Sequence, residues 1–252
     1  MIRQTVMPFK LERTDQGVTA RSGLVLYGEF MEAMGVDCLI ERHLPKPCSG
    51  RGYEPIRYIK SLSMMLYGGG EAIEDVREIR EDDSLREVVG LEEVPSCSAI
   101  GDWLRRMGER DGIGGMERVN DGIVRRVLKR DDRKGYTLII DPTIIESWKR
   151  EAQMTYLGCK GYRPVVATLK ENGLAISYEF REGNDTGGKL RILKKAFGKM
   201  PKGKKMEEVL LDAEYYTNDV IDYLEAKGVR WAICVDKDCS VVQAIGEISQ
   251  EG

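Results

Sequence analysis

A chain of 252 residues with 42% hydrophobic and 32% charged side chains suffices for one large domain or two small ones, and is too apolar to stay disordered. The formal net charge of −3 excludes a protein that is basic throughout, so contact with nucleic acid must come from local patches. No apolar run approaches a membrane span and the opening MIRQTVMPFKLERTD lacks the apolar centre of a signal peptide, so the reading is a soluble cytoplasmic chain with no membrane partner.

Six cysteines, at positions 38, 48, 97, 159, 234 and 239, form no C-x-x-C pair, and His43 is the only histidine. Zinc needs clustered Cys and His ligands, and disulfide frameworks belong to small secreted chains. The thiols therefore read as reduced and structural, and His43 as a helix-end residue.

The first 52 residues start irregularly, then give helical patterns over Leu24–Met34 and Asp37–His43, with Cys48–Gly52 as a loop. Residues 53–131 read as a helical region. Ile56, Ile59, Leu62 and Leu66 share one face of a helix that Gly68-Gly69-Gly70 ends, and Ile73, Val76 and Ile79 mark a shorter one. Between Glu71 and Glu93 stand ten acids and three arginines, a stretch that repels phosphate. Ser98 is a candidate N-cap for a helix with Ile100, Trp103 and Leu104 inward, and a longer helix follows over Met116–Arg130. Two helices joined by a turn can read DNA, but bundle packing explains the same spacing and is the reading preferred.

After a charged hinge, DDRKG at 131–135, the period changes to that of strands, and 136–252 reads as a separate domain. Tyr136–Asp141 is an apolar run ending on an acid and Pro142. Pro164–Leu169 and Leu174–Arg181 follow, joined by the hairpin turn Asn172-Gly173. In the second of these, Leu174, Ile176, Tyr178 and Phe180 alternate with Ala175, Ser177, Glu179 and Arg181. A helix over Gly188–Phe197, a strand Val209–Asp212, a helix from Thr217 or Asn218 to Gly228 and a strand Val229–Val235 complete the pattern. The order βββαβαβ behind a helical N-terminal region is an α/β plan with the mixed sheet of a ribonuclease H-like fold.

In that plan the first and fourth strands adjoin, which makes neighbours of Asp141 and Asp212. Paired carboxylates repel unless they share a proton or bind a cation, and oxygen-only ligands suit Mg²⁺ or Mn²⁺. Two such ions form a clamp for in-line attack on a phosphodiester. Either acid alone has a structural explanation, since Asp at a strand end also caps the following turn. The pairing favours catalysis.

The segments DPTIIESWKREAQMTYLGCKGYRPVV, EFREGNDTGG and LLDAEYYTNDVIDYLEAKGVRWAI resemble the group-1 DDE transposases of bacterial insertion sequences. SLSMMLYGGGEAIEDVREIREDD and GLEEVPSCSAIGDWLRRM are similar to that family's helical N-terminal region. The resemblance implies DNA strand cleavage and transfer at a Mg²⁺ or Mn²⁺ site, with Asp141 and Asp212 as the first two metal-binding acids. It implies DNA partners, namely terminal inverted repeats and target DNA, and a homodimer assembled on them near the nucleoid. The family's third acid, a Glu, lies well beyond the second, and Glu247 and Glu251 follow the last strand too closely to fill that role. The expected core is therefore C-terminally incomplete, from a chain truncated after its second acid or encoded in two pieces. The alternatives are an inactive remnant that binds DNA or inhibits intact transposase, and another ribonuclease H-like nuclease.

Lys149, Arg150, Tyr156, Lys160 and Tyr162 mix cations with aromatics after Asp141, a combination suited to gripping a phosphate backbone and stacking on a base. Between Lys189 and Met206 lie eight Lys or Arg and no acid, including Lys194 and Lys195, a second candidate DNA contact or else a solvated helix. Trp103, Trp148 and Trp231 read as core or interface residues.

Overall fold

The structure, a computed structural model, describes residues 15–47, 52–235 and 239–247; the irregular start, the loop at 48–51 and Glu251 lie outside the described residues. The chain divides into two compact units, residues 1–119 and 120–252, and the division falls within one long helix.

The first unit is helical: α1 (Ser22–Ala33), α2 (Val36–His43), α3 (Pro55–Tyr67), a 3₁₀ turn at Ile73–Asp75, α4 (Val76–Arg80), α5 (Asp83–Val88), α6 (Cys97–Glu109) and the start of α7 (Gly112–Arg130). Gly35 at φ 55° allows the sharp passage from α1 into α2, a left-handed conformation that side chains with a Cβ resist. Pro55 sits in the first turn of α3, where its missing N–H is no loss. Asp82 caps α5 by accepting from Leu85 N at 2.9 Å. Ser96 caps α6 by accepting from Ala99 N at 3.2 Å, so the cap lies two residues before the expected Ser98. The core gathers Ile40, Met64, Val76, Ile79, Leu85 and Ile100, each of which is essentially inaccessible. Tyr58 lies flat on Trp103, ring centroids 4.8 Å apart.

Two inward faces differ from expectation. On α3 the buried residues are Pro55, Tyr58, Ser61, Met64 and Met65, whereas Leu66 is 61% exposed. Tyr58 stacks on Trp103, the unbranched methionines adapt to irregular gaps, and Ser61 can be buried because its hydroxyl donates to Arg57 O at 2.6 Å. On α6, Ile100 and Trp103 turn inward but Leu104 is 42% exposed.

The second unit is built on a five-stranded mixed sheet. Its strands are β1 (Gly135–Pro142), β5 (Val165–Leu169), β6 (Leu174–Glu179), β7 (Lys205–Leu211) and β8 (Arg230–Ile233), in the order β6-β5-β1-β7-β8. β1 pairs antiparallel with β5 and parallel with β7; β5–β6 is antiparallel and β7–β8 parallel. The β5–β6 hairpin turns where expected, with Gly173 at φ 67°. Two helices supply the crossovers that parallel pairing requires, α8 (Lys189–Gly198) before β7 and α9 (Asn218–Lys227) before β8. This is the ribonuclease H-like sheet, with β1 at its centre.

Leu138, Ile140, Val209, Ile192, Leu193 and Leu224 bury completely or nearly so in one cluster, which Val124 and Leu128 of α7 join. Each such side chain contributes about 1.5–3 kcal/mol. Between β1 and β5 the chain makes a second, small antiparallel sheet of β2 (Ile145–Glu146), β3 (Gln153–Met154) and β4 (Lys160–Tyr162), in the order β2-β4-β3, which the sequence pattern did not announce. The α10 helix (Cys239–Glu247) follows β8. Cys38, Cys97, Cys159 and Cys234 are unpaired thiols, and among the described residues no helix is long and apolar enough to cross a membrane.

Candidate active site

Asp141 and Asp212 are brought to the same place by strand register. Tyr136, Leu138 and Ile140 of β1 face the core opposite Met206, Val209 and Leu211 of β7, and Ile140 pairs with Leu211. The next residue on each of these parallel strands is the acid. Because side chains alternate across a strand, both carboxylates leave the core face together, and both are exposed. Asp141 sits opposite Val166 of β5, and its carboxylate has no hydrogen bond or ion pair among the described residues. Asp212 has one: an oxygen accepts from Ala213 N at 2.7 Å, which caps a single 3₁₀ turn, Ala213–Tyr215. The capping role expected of an Asp at a strand end is thus real for Asp212. It uses one oxygen and leaves the other open.

The small sheet springs from the same end of β1, since Pro142 pairs with Val165 and Thr143 N donates to Pro164 O at 2.9 Å. Lys149 and Arg150 are exposed in the β2–β3 connection, and Lys160 is exposed on β4. Tyr156 occupies a tight turn: Gly158 N donates to Thr155 O at 3.1 Å, and Thr155 N and Oγ1 both donate to Cys159 O. The turn holds Tyr156 out at 74% exposure. Tyr162 is half-buried, its ring 4.9 Å from that of Phe180. Trp148, expected in a core or an interface, is 96% exposed, so the core reading is wrong: it lies in a connection too short to fold back over it. Trp231 is half-buried on edge strand β8, where its indole donates to Glu225 at 2.7 Å.

The basic run from Lys189 to Met206 divides its cations. Arg191 pairs with Glu179, Lys199 with Asp121 at 2.7 Å and Lys205 with Glu207 at 2.9 Å, while Lys204 donates to the Asp131 and Arg133 carbonyls. Lys194 is exposed on α8 with its ammonium over the Tyr223 ring, and Lys195 is half-buried.

A feature the sequence reading missed lies beside Asp212. Arg163, Arg181, Glu179 and Glu214 have side chains 7, 1, 9 and 11% exposed, and they alternate in charge. Arg163 donates to Glu214. Arg181 donates to Glu179 at 2.9 Å and faces Glu214 at 3.8 Å. Arg191 closes the row on Glu179 at 2.7 Å. Burial works against the Glu179 carboxylate, but hydrogen bonds from Arg191 and Arg181 outweigh it and hold its pKa below the usual range. Burial pushes the adjacent Tyr215 phenol up to about 12. Alternation sets Phe180 on one face with Leu174, Ile176 and Tyr178 and Arg181 on the other with Ala175, Ser177 and Glu179; β6 ends at Glu179, and beyond it Phe180 is 66% exposed and Arg181 is buried. The available signal was the pair Glu179 and Arg181, opposite charges two residues apart.

The model of the family described as transposase DDE domain group 1 matches residues 6–252. The chain belongs to that family. Among solved structures, this DDE transposase domain is similar to the piggyBac transposase synaptic complex with hairpin DNA, at 10% identity and a TM-score of 0.38 over 90% of this chain. It spans 45% of that transposase. It is also similar to the Mos1 mariner paired end complex with Mn, at 13% identity and a TM-score of 0.29, covering 91% of this chain and 85% of that one. The curated proteins include no match. In this transposase domain the donor set suits a hard divalent cation. Two exposed carboxylates on adjoining strand ends, one with no partner among the described residues, offer oxygen alone, the preference of Mg²⁺ and Mn²⁺. Among the described residues no third His, Cys, Asp or Glu joins them.

Proposed function

We propose that the protein is a DNA transposase in which Asp141 and Asp212 hold Mg²⁺ or Mn²⁺ for cleavage and transfer of DNA strands. The observation that carries this reading is the register of β1 and β7, which sets the two acids side by side in a chain of the DDE family. A bound divalent ion supplies the Lewis acidity that activates a water or 3′-hydroxyl and neutralises charge on the phosphate. The protein contributes position. Asp141 projects from the central strand, and Asp212 is fixed by its hydrogen bond to Ala213 N with one oxygen free. Two carboxylates leave most of the shell to water and to DNA phosphate.

Lys149, Arg150 and Lys160 then grip the backbone beside the metal, while Tyr156 and Tyr162 offer stacking surfaces; Lys194 and Lys195 add phosphate contacts from α8. The DNA partners are terminal inverted repeats and target, bound by a homodimer. The test is Mg²⁺-dependent nicking of terminal-repeat DNA by the purified chain. Nicking that Asp141→Ala and Asp212→Ala each abolish supports the proposal. Nicking that survives both substitutions refutes it. Because two carboxylates meet here with no third among the described residues, a second reading is DNA binding without cleavage, and retention of the same DNA with no nicking would select it.

A further inference from the structure

We propose that Glu214, clamped between Arg163 and Arg181, is a positioning residue for Asp212, and that Arg163 ties this carboxylate to the turn carrying Tyr156. The inference rests on Asp212 being a metal-binding acid, as proposed above. Asp212 is held by the 3₁₀ turn it caps: Ala213 N donates to its side chain, and Tyr215 N donates to its carbonyl at 3.0 Å. A single turn of three residues has almost no helix of its own to stabilise it, so its orientation depends on what anchors it. Tyr215 does so from below, wholly buried. Glu214 does so from the side through Arg163, whose side chain is 7% exposed.

The anchor is built from separate parts of the sheet. Arg163 stands between β4 and β5, and its backbone N–H donates to Arg181 O at 2.8 Å, which locks the two arginines to each other. Arg181 faces Glu214 at 3.8 Å, but neither Arg181 Nη1 nor Glu214 Oε1 completes a hydrogen bond, so Arg163 carries the directional contact. The same guanidinium lies 5.6 Å from the centre of the Tyr156 ring. One buried cation therefore touches both the exposed turn of the small sheet and the acid two residues beyond Asp212.

Stability gives a poor account of such an arrangement. Buried ion pairs recover their desolvation only when geometry is excellent, and apolar replacements are often as stable. Orientation gives a better one: groups that hold a metal ligand in place typically change metal affinity by about 10–100-fold when lost, and Glu214 acts on Asp212 through the turn they share.

The test measures Mn²⁺ binding to the full chain by electron paramagnetic resonance of the free ion, with thermal unfolding recorded alongside. Wild type is compared with Asp212→Asn, Glu214→Gln and Glu214→Asp. Glu214→Asp keeps the charge, and with it the fold, but shortens the reach to Arg163. We expect Asp212→Asn to lose binding and Glu214→Gln to weaken it about 10–100-fold, with Glu214→Asp intermediate. A merely structural Glu214 would lower the Tm and leave the Mn²⁺ dissociation constant of folded Glu214→Asp at the wild-type value, and that result overturns the inference. If wild type fails to bind Mn²⁺, or Asp212→Asn binds it equally well, the functional proposal falls and takes this inference with it. Loss in Asp212→Asn with wild-type affinity in both Glu214 variants removes the positioning role alone.

Discussion

Neutralising Asp141 separates a structural acid from a metal-binding one through the sign of its effect on stability. The carboxylates of Asp141 and Asp212 leave adjoining positions on parallel strands, which lie about 4.8 Å apart. Two unit charges about 5 Å apart repel by roughly 0.8 kcal/mol at the dielectric constant of water, the appropriate limit for two exposed groups. The Asp141 carboxylate makes no hydrogen bond among the described residues, so Asp141→Asn gives up nothing in exchange for that relief. In EDTA the variant should therefore melt above wild type, by about 2–3 °C for a chain of this size. Divalent metal reverses the order. At a concentration 100 times its dissociation constant, a ligand bound only by the folded state adds about 2.7 kcal/mol, and wild type gains this while Asp141→Asn gains little. The assay is thermal unfolding by circular dichroism at low salt, with EDTA and with MnCl₂. A variant that melts below wild type in EDTA makes Asp141 a structural cap, and a wild-type Tm indifferent to Mn²⁺ removes the metal site. Asp212→Asn should behave alike because Asn can still cap the turn, whereas Asp212→Ala loses a cap worth about 1 kcal/mol and forfeits the gain.

The remaining expectations concern packing, charge and pH. Leu128→Ala, at a wholly buried position, should cost about 2–5 kcal/mol in urea unfolding, while Leu104→Ala, at a 42% exposed one, should stay within about 0.5 kcal/mol; equal costs would contradict the assignment of faces. Lys160→Ala should reduce the slope of log K against log salt for terminal-repeat DNA by about 0.9, and an unchanged slope means that Lys160 meets no phosphate. The depressed pKa of Glu179 gives stability that is complete above the ordinary value of 4.5 and is lost as pH falls through the lower folded value. Acid unfolding followed by fluorescence should therefore shift to higher pH when Arg181→Met removes one of the groups depressing it, and an unshifted midpoint would show that Arg191 suffices.

The adjacency of Asp141 and Asp212 was legible because it depends on strong local signals. Each closes an apolar run, and the order of strands and helices fixes which runs adjoin; no side-chain packing had to be anticipated. The Asn172-Gly173 turn and the Gly228 terminus of α9 were legible for the same reason, since each states a backbone conformation directly. The small sheet was not, because β2 and β3 are two residues each and show no period. The buried face of α3 was not the Ile and Leu row, because the packing of Tyr58 on Trp103 and of Met64 and Met65 beside it is set by tertiary structure.

Arg181 exposes the deeper reason. Alternation along β6 treats burial as a property of one side chain, and on that scale phenylalanine goes in and arginine stays out. Arginine goes in here because it pairs with Glu179 two residues before it and faces Glu214, which arrives from a turn 33 positions later. Burial of a charge is a property of the pair, and the partner of Arg181 is set by tertiary structure. The order of elements that located Asp212 also brings in Glu214, since the two share one turn. The same reasoning that paired Asp141 with Asp212 thus leads from Asp212 to Glu214, Arg163 and Tyr156, a path from the acids to the exposed turn that passes through buried charge rather than hydrophobic core.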